Sequence, residues 1–367
     1  MTRRVQSWLA IFSTSVLVVA LNACQKLDKG YPMQPQHADA ATVPTEFLSV
    51  KPVCFGRFLV DVPLNAEVVY GPAEFDGTVH VFEEMAGSLN ELVAREVADV
   101  EGERYVLGTR KDDLPRYGEV ISGPLPGQRT VIGAPDFATY TATSFVTKEP
   151  HLFILSAGGS ADEKPLLALV NRTAASLRVR KPDEIPYEPG FCVDGGFIPL
   201  TAEFENIKMG IRFKRFPDVH FSNRASKNQE FLPQGGMLEE RMASALEDAL
   251  PKQRLWFNKI SYLRRGERTL LTWKGEEVLA RLPAQEGAKE SHQFHFKSVG
   301  EIHDPMRPEL DVELISGAKE NERGAVTPSL NDAQMLALWD TLTATIRPRP
   351  ITPPAPPPVH KKVALGS

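Results

Sequence analysis

The sequence predicts an α+β protein of two similar domains, an internal repeat in which each copy is a mainly antiparallel sheet with helices packed on one face. Three observations predict it. Segments 160–180 and 329–349 align without a gap at a constant offset of 169, with seven of 21 positions identical. Runs lying between the helical patterns alternate apolar and polar residues with a period of two, as strands with one buried face do. The 367 residues exceed the roughly 100–200 of one domain, and 42% of them are hydrophobic against 24% charged, the balance of a folded body.

In chain order, residues 1–23 read as a lipoprotein signal peptide. Met1-Thr2-Arg3-Arg4 is cationic, and the apolar runs at 8–12 and 16–21 are too short for a comfortable membrane span of about 20 residues. Leu21-Asn22-Ala23-Cys24 resembles a lipobox, whose cysteine is acylated and becomes the new N-terminus; an ordinary signal peptide with a chance cysteine is the other reading. Lipidation of Cys24 supplies the several acyl chains that stable anchoring needs. Gln25, in place of an Asp retention signal, points to the periplasmic, inner leaflet of the outer membrane. Residues 24–48 are a polar, Pro-bearing flexible tether.

The first domain, 49–182, opens on the strand pattern Cys54-Phe55-Gly56-Arg57-Phe58-Leu59-Val60. A helix follows from Ser88, with the capping box Ser88…Glu91, and strands are expected at 139–143 and 151–155. A second helix starts from the capping box Ser160…Glu163. It carries Leu166, Leu169, Val170, Ala174 and Leu177 at helical spacing, and Pro165 delays its start. Arg178 and Arg180 read as its basic C-terminal turn. After a linker at 181–186, the second domain, 183–350, repeats the order. Cys192-Val193-Asp194-Gly195-Gly196-Phe197-Ile198 opens it, a helix follows at 238–243, and Trp273-Lys274-Gly275-Glu276 reads as a hairpin turn. Phe294 and Phe296 then alternate with His295 and Lys297, and Leu310, Val312 and Leu314 with Asp311 and Glu313. The last helix has the capping box Ser329…Asp332 and ends near Arg347 and Arg349. Residues 351–367 form a Pro-rich disordered tail of extended polyproline type.

Chemistry is sparse along this frame. The formal charge is −5, and it becomes −7 once residues 1–23, which hold Arg3 and Arg4 and no acid, are removed. A chain of that sign repels phosphate backbones, so nucleic acid is not an expected partner. Gly-x-Ser-x-Gly, His-Glu-x-x-His, Gly-x-x-x-x-Gly-Lys-Ser/Thr and Gly-x-Gly-x-x-Gly are all absent. Ser160, after two glycines, reads as a helix cap in preference to a nucleophile. His292 and His295 stand on opposite faces of a strand, wrong for one metal ion, and read as surface histidines beside a buried Phe pair. Asp304, Glu309, Asp311 and Glu313 lack the spacing of a calcium loop and read as a solvated strand face. No catalytic residue, cofactor or metal is expected, and the protein is not expected to be an enzyme.

Once Cys24 is acylated, Cys54 and Cys192 are the remaining thiols in an oxidising compartment. Either they clasp the two domains as a disulfide, worth roughly 4–5 kcal/mol over this separation in the chain-entropy model, or they are inert buried thiols. The compartment favours the disulfide.

Cys54-Phe55-Gly56-Arg57-Phe58-Leu59-Val60-Asp61-Val62-Pro63, together with Glu188-Pro189-Gly190-Phe191-Cys192-Val193-Asp194-Gly195-Gly196-Phe197-Ile198, resembles the domain openings of immunity proteins against type VI secretion phospholipase effectors. The resemblance spans about 49–350. It implies a non-enzymatic periplasmic inhibitor whose two domains clamp a cognate lipase, protecting the producing cell and its kin. An outer-membrane lipoprotein that binds another envelope protein in assembly or scaffolding is the alternative, and a periplasmic hydrolase with an unfamiliar site comes third.

Overall fold

The structure, a computed structural model, describes residues 45–353 apart from 108–115, 135–137, 228, 230–235 and 321. The signal peptide, Cys24, nearly all of the tether and most of the Pro-rich tail lie outside the described residues.

The first half begins with the hairpin β1 (Val50–Phe55) and β2 (Phe58–Pro63), then β3 (Glu67–Tyr70), β4 (Ala73–Phe75) and β5 (Thr78–Phe82). Helix α1 (Leu89–Leu107) leads to β6 (Val120–Ser122), β7 (Arg129–Gly133), β8 (Tyr140–Lys148) and β9 (His151–Ser160), and α2 (Glu163–Ser176) to β10 (Arg178–Val179). The second half begins with the hairpin β11 (Phe191–Val193) and β12 (Gly196–Ile198), then β13 (Glu205–Phe213) and β14 (Phe216–Ser226). Helices α3 (Leu238–Glu247) and α4 (Pro251–Phe257) precede β15 (Ser261–Leu270), β16 (Trp273–Leu282), β17 (Ser291–Ser298) and β18 (Glu309–Ile315). Helix α5 (Asp332–Ala344) and β19 (Arg347–Pro348) complete the described elements.

The mainly antiparallel α+β plan holds, but the sheet is continuous across both halves. Its order is β15-β16-β17-β18-β14-β13-β4-β5-β9-β8-β7-β6, with β3 also paired to β13. From the β13–β4 junction outward, the first half reads β4-β5-β9-β8-β7-β6 and the second β13-β14-β18-β17-β16-β15. Two small sheets, β1-β2-β19 and β10-β12-β11, complete the plan. In each, a hairpin pairs with a strand from the other half: Arg347 opposite Leu59, and Arg178 opposite Phe197. One core runs through both halves, with Phe75 against Phe191 and Phe58 against Trp273 across the divide.

The helices are not confined to one face. Gln128 donates to Ser144 of β8 and to Asn171 of α2, whereas Gly133 lies against Val100 of α1 and Thr141 of β8. Ser144 and Thr141 point to opposite sides of the strand, so α1 and α2 cover opposite faces. Likewise Trp339 of α5 packs on Phe294 while α3 packs on Val278, which stands opposite His295. Burial on both faces follows, and all eight residues of β17 are buried. In β17 period-two alternation therefore marks a strand without marking a wet face, whereas β13 keeps one, with Lys208 and Arg212 exposed.

Local chemistry explains the other departures. The cap of α2 is Asp162, accepting from the Lys164 amide, while Ser160 ends β9 and accepts from the Asp162 amide. At α5 the capping box is Asn331 with Gln334, two residues beyond Ser329. Leu177 turns extended (ψ 129°), so Arg178 and Arg180 stand outside α2. The β15–β16 turn is Leu271-Thr272, with Leu271 at φ +52°, and Gly275 is inside β16, where a Cβ would clash with the Lys297 carbonyl.

Candidate functional site

The two hairpins predicted to open the domains meet. Gly56 and Cys192 exchange both backbone hydrogen bonds, at 3.0 and 2.8 Å. Gly56 has φ +55°, and a Cβ there would press on Ile207 and Phe191 at 3.0 Å, so the contact needs glycine. The sulfur atoms of Cys54 and Cys192 lie at bonding distance, with Cα atoms 6.1 Å apart, in a buried cluster with Leu59 and Phe197.

Buried arginines surround this junction. Arg57 makes a two-pronged pair with Glu205 of β13, Nε to Oε2 at 2.7 Å and Nη2 to Oε1 at 2.5 Å, and donates to the Leu200 carbonyl. Arg180 donates to the carbonyls of Gly196, Lys181, Glu184 and Val193. Arg349 lies over the Phe197 ring and donates to the carbonyls of Pro186, Glu188 and Gly190. Burial lowers the Arg349 pKa, Glu188 resists, and the charges of Arg57, Arg178 and Arg180 deepen the fall to about 10. The cation persists at neutral pH. The repeated Arg-x-Arg endings thus staple the linker and hairpins, a role that their place after a helix pattern did not disclose.

A second network joins β15 and β16 to α5. Glu277, almost wholly buried, accepts from Arg264, Arg268 and the Trp339 indole, and Asp340 accepts from the same two arginines. Burial pulls the Arg264 pKa down, but hydrogen bonds to Asp340 and Glu277 more than reverse this. A third crosses β14, β18 and β17. Glu309, Asp311 and Glu313 share one face, met there by Arg224, Lys297 and His295. Burial raises the Asp311 pKa, yet His295, Lys297 and Arg224 together hold the carboxyl well below its ordinary range. The acidic run is therefore neutralised from adjacent strands. It is neither a solvated face nor a calcium site, and Asp304 lies apart in a turn held by Arg307. Both histidines are buried and acid-paired, His292 with Asp332 at 2.8 Å and His295 with Asp311 at 2.7 Å, so they are not surface residues.

Among the described residues no cluster of His, Cys, Asp or Glu is arranged to hold a metal ion, and no helix is long and apolar enough to cross a membrane. A concavity between the first hairpin and the second half, lined by Arg57, Glu205 and Pro308, holds about 10 Å³, room for about one water. In the second half, Leu250 and Leu255 on the α3–α4 corner and Leu271 at a hairpin tip are 66%, 67% and 60% exposed.

This fold is that of known immunity proteins. The apo structure of immunity protein TplEi of T6SS from Pseudomonas aeruginosa matches with TM-score 0.62 and 22% identity, over 83% of this chain and 98% of that one. The TplEi structure complexed with "L" peptide matches at 0.60 and 24%, over 82% and 99%. A chain of the Tle4–Tli4 complex crystal structure matches at 0.64 and 24%, over 83% and 99%. Residues 184–351 match the model of the Tle cognate immunity protein 4 C-terminal domain. The resemblance read at the hairpin openings is to the same group of proteins that this family model and these solved structures describe. No curated protein matches the sequence.

Proposed function

We propose that this chain is a periplasmic immunity protein that binds a type VI secretion lipase effector and inhibits it stoichiometrically. The observation that carries the reading is the family match over 184–351, set in a fold shared with immunity proteins over both halves. In this reading residues 1–23 are a lipoprotein signal peptide, acylated Cys24 anchors the protein to the outer membrane, and Cys54 and Cys192 are bonded after export. The two halves are copies of one domain, a view supported by their identical strand order outward from the β13–β4 junction.

The shared sheet, the hairpin junction and the Arg57–Glu205 pair make one frame of both halves, so little ordering is required on binding and more of the contact energy becomes affinity. The exposed leucines of the matched domain are the apolar groups ready to be buried against an effector. The test is co-expression with a candidate lipase encoded nearby, followed by purification and titration of its activity. Inhibition is expected to be complete at one equivalent, and cells given the effector in the periplasm to survive only with the exported form. Inhibition continuing far below equimolar amounts, or equal protection by a chain lacking residues 1–23, would refute the proposal.

A further inference from the structure

The chain enters the described body beside a distinctive surface. Phe47 packs on Phe213 of β13, ring centroids 5.5 Å apart, so the segment arriving from the N-terminus meets the body at the β13–β14 turn. That turn is Lys214-Arg215, between the paired Phe213 and Phe216. Arg212, Lys214 and Arg215 are exposed while Phe213 is buried. Arg212 stands opposite Glu67 of β3 and bridges it at 3.4 Å, and Asp218, just past the turn, is buried and taken up by the amides of Gly317 and Ser329. Three residues before Glu67 is Leu64, 59% exposed, whose amide donates to Ser49; Val50, also exposed, pairs with Pro63 next to it. Cations and aliphatic groups therefore rim the entry point of a chain whose overall charge is −5.

We propose that this rim is the face the protein turns toward an anionic phospholipid surface. Lys214, Arg215 and Arg212 lie over lipid phosphates, and Leu64 and Val50 reach into the interface. The proposal rests on the reading of Cys24 as a lipid anchor, because that residue lies 21 positions before Thr45, the first described residue. On the sequence reading of 24–48 as a flexible tether, that length spans about 25 Å on average, which keeps the rim, where the tether meets the body, close to the bilayer. Tethering makes the contact intramolecular and adds to an affinity for the surface that the rim has on its own. Each basic residue close to an anionic surface is worth about five-fold in partition, screened by salt. The rim then fixes which way the body faces.

The test uses the chain processed at residue 24 and carrying Cys24→Ser, so that no acyl chain contributes. It is floated with vesicles of phosphatidylglycerol and phosphatidylethanolamine, and separately with phosphatidylcholine vesicles. Flotation with the anionic vesicles alone is expected, abolished at about 0.5 M salt. Lys214→Glu with Arg215→Glu is expected to lower partition by at least ~25-fold, with an unchanged melting curve, whereas Lys252→Glu on distant α4 leaves it unaltered. Equal flotation with both vesicle types, no flotation at all, or equal loss in the Lys252 variant would overturn the proposal. So would unchanged partition with weakened lipase inhibition in the double variant, which would place an effector on the rim. Palmitate labelling of the wild-type chain tests the anchor separately: absence of label with flotation retained refutes the anchor and keeps the rim, and label without flotation refutes the rim alone.

Discussion

Arg57 shows how a single side chain ties the molecule together. It leaves the tip of the first hairpin, is buried, and delivers two of its donors to Glu205, the first residue of a strand in the other half. Removing one partner of a buried pair strands the other charge, so Arg57→Ala is expected to cost about 3–5 kcal/mol, read as a lower urea midpoint. A loss under about 1 kcal/mol would mean that Glu205 finds another partner. Asp311 gives a pH signature. Its folded pKa is depressed, so its stabilisation is present above the unfolded value near 3.9 and is lost as pH falls below it. Asp311→Asn should therefore lower the urea midpoint at pH 7, with the gap to wild type closing toward pH 3; a gap independent of pH would refute the assignment. These roles were only partly visible beforehand. The acids at 309, 311 and 313 were legible as one strand face, but their cations come from positions 224, 295 and 297 on neighbouring strands, and only pairing register joins them.

At the scale of elements, the strands and helices were largely legible because apolar spacing reports them directly. The turns were less so. Leu271 occupies a left-handed position where Gly or Asn is usual, so the nearby Lys274-Gly275 drew the turn away from its true place. The caps slid by two residues because Asp162 and Asn331, next to the expected serines, do the same chemistry with better reach. Two elements carry predictions. On α4, Leu255→Asp should weaken effector binding at least ten-fold while leaving the melting temperature within about 2 °C, since the side chain is exposed. Unchanged affinity would remove the α3–α4 corner from the interface. The hairpins β1–β2 and β11–β12 should be covalently joined in protein recovered from the periplasm. Alkylation of denatured, unreduced protein would then label neither Cys54 nor Cys192, and two labelled thiols would refute the bond.

The whole molecule joins its halves more intimately than the repeat implied. Offset 169 suggested two similar units, but nothing in it could reveal that each hairpin pairs with a strand of the other half, or that β13 and β4 continue one sheet through the middle. Those pairings link residues far apart in sequence, where local patterns carry no information. Neither 49–182 nor 183–350 should therefore fold alone. Each is expected to be insoluble or to lack a cooperative melt when expressed separately, and recovery of a folded half would show that the shared core is dispensable.

The pairing of β19 with β2 has a topological corollary. Among the described residues the first and last strands are members of the same three-stranded sheet, and the Arg349 amide donates to the Arg57 carbonyl, so the described body nearly closes into a ring. A circular permutant should exploit this. A flexible bridge of about ten residues, reaching some 33–36 Å, would join 353 to 45, and new ends would open in the linker near Asp183. Such a chain would keep every described strand neighbour while beginning in the linker instead of beside the first hairpin. On the proposed immunity role and lipid anchor, protection by the permutant, compared with that by the parent, would report how much depends on where the tether joins the body.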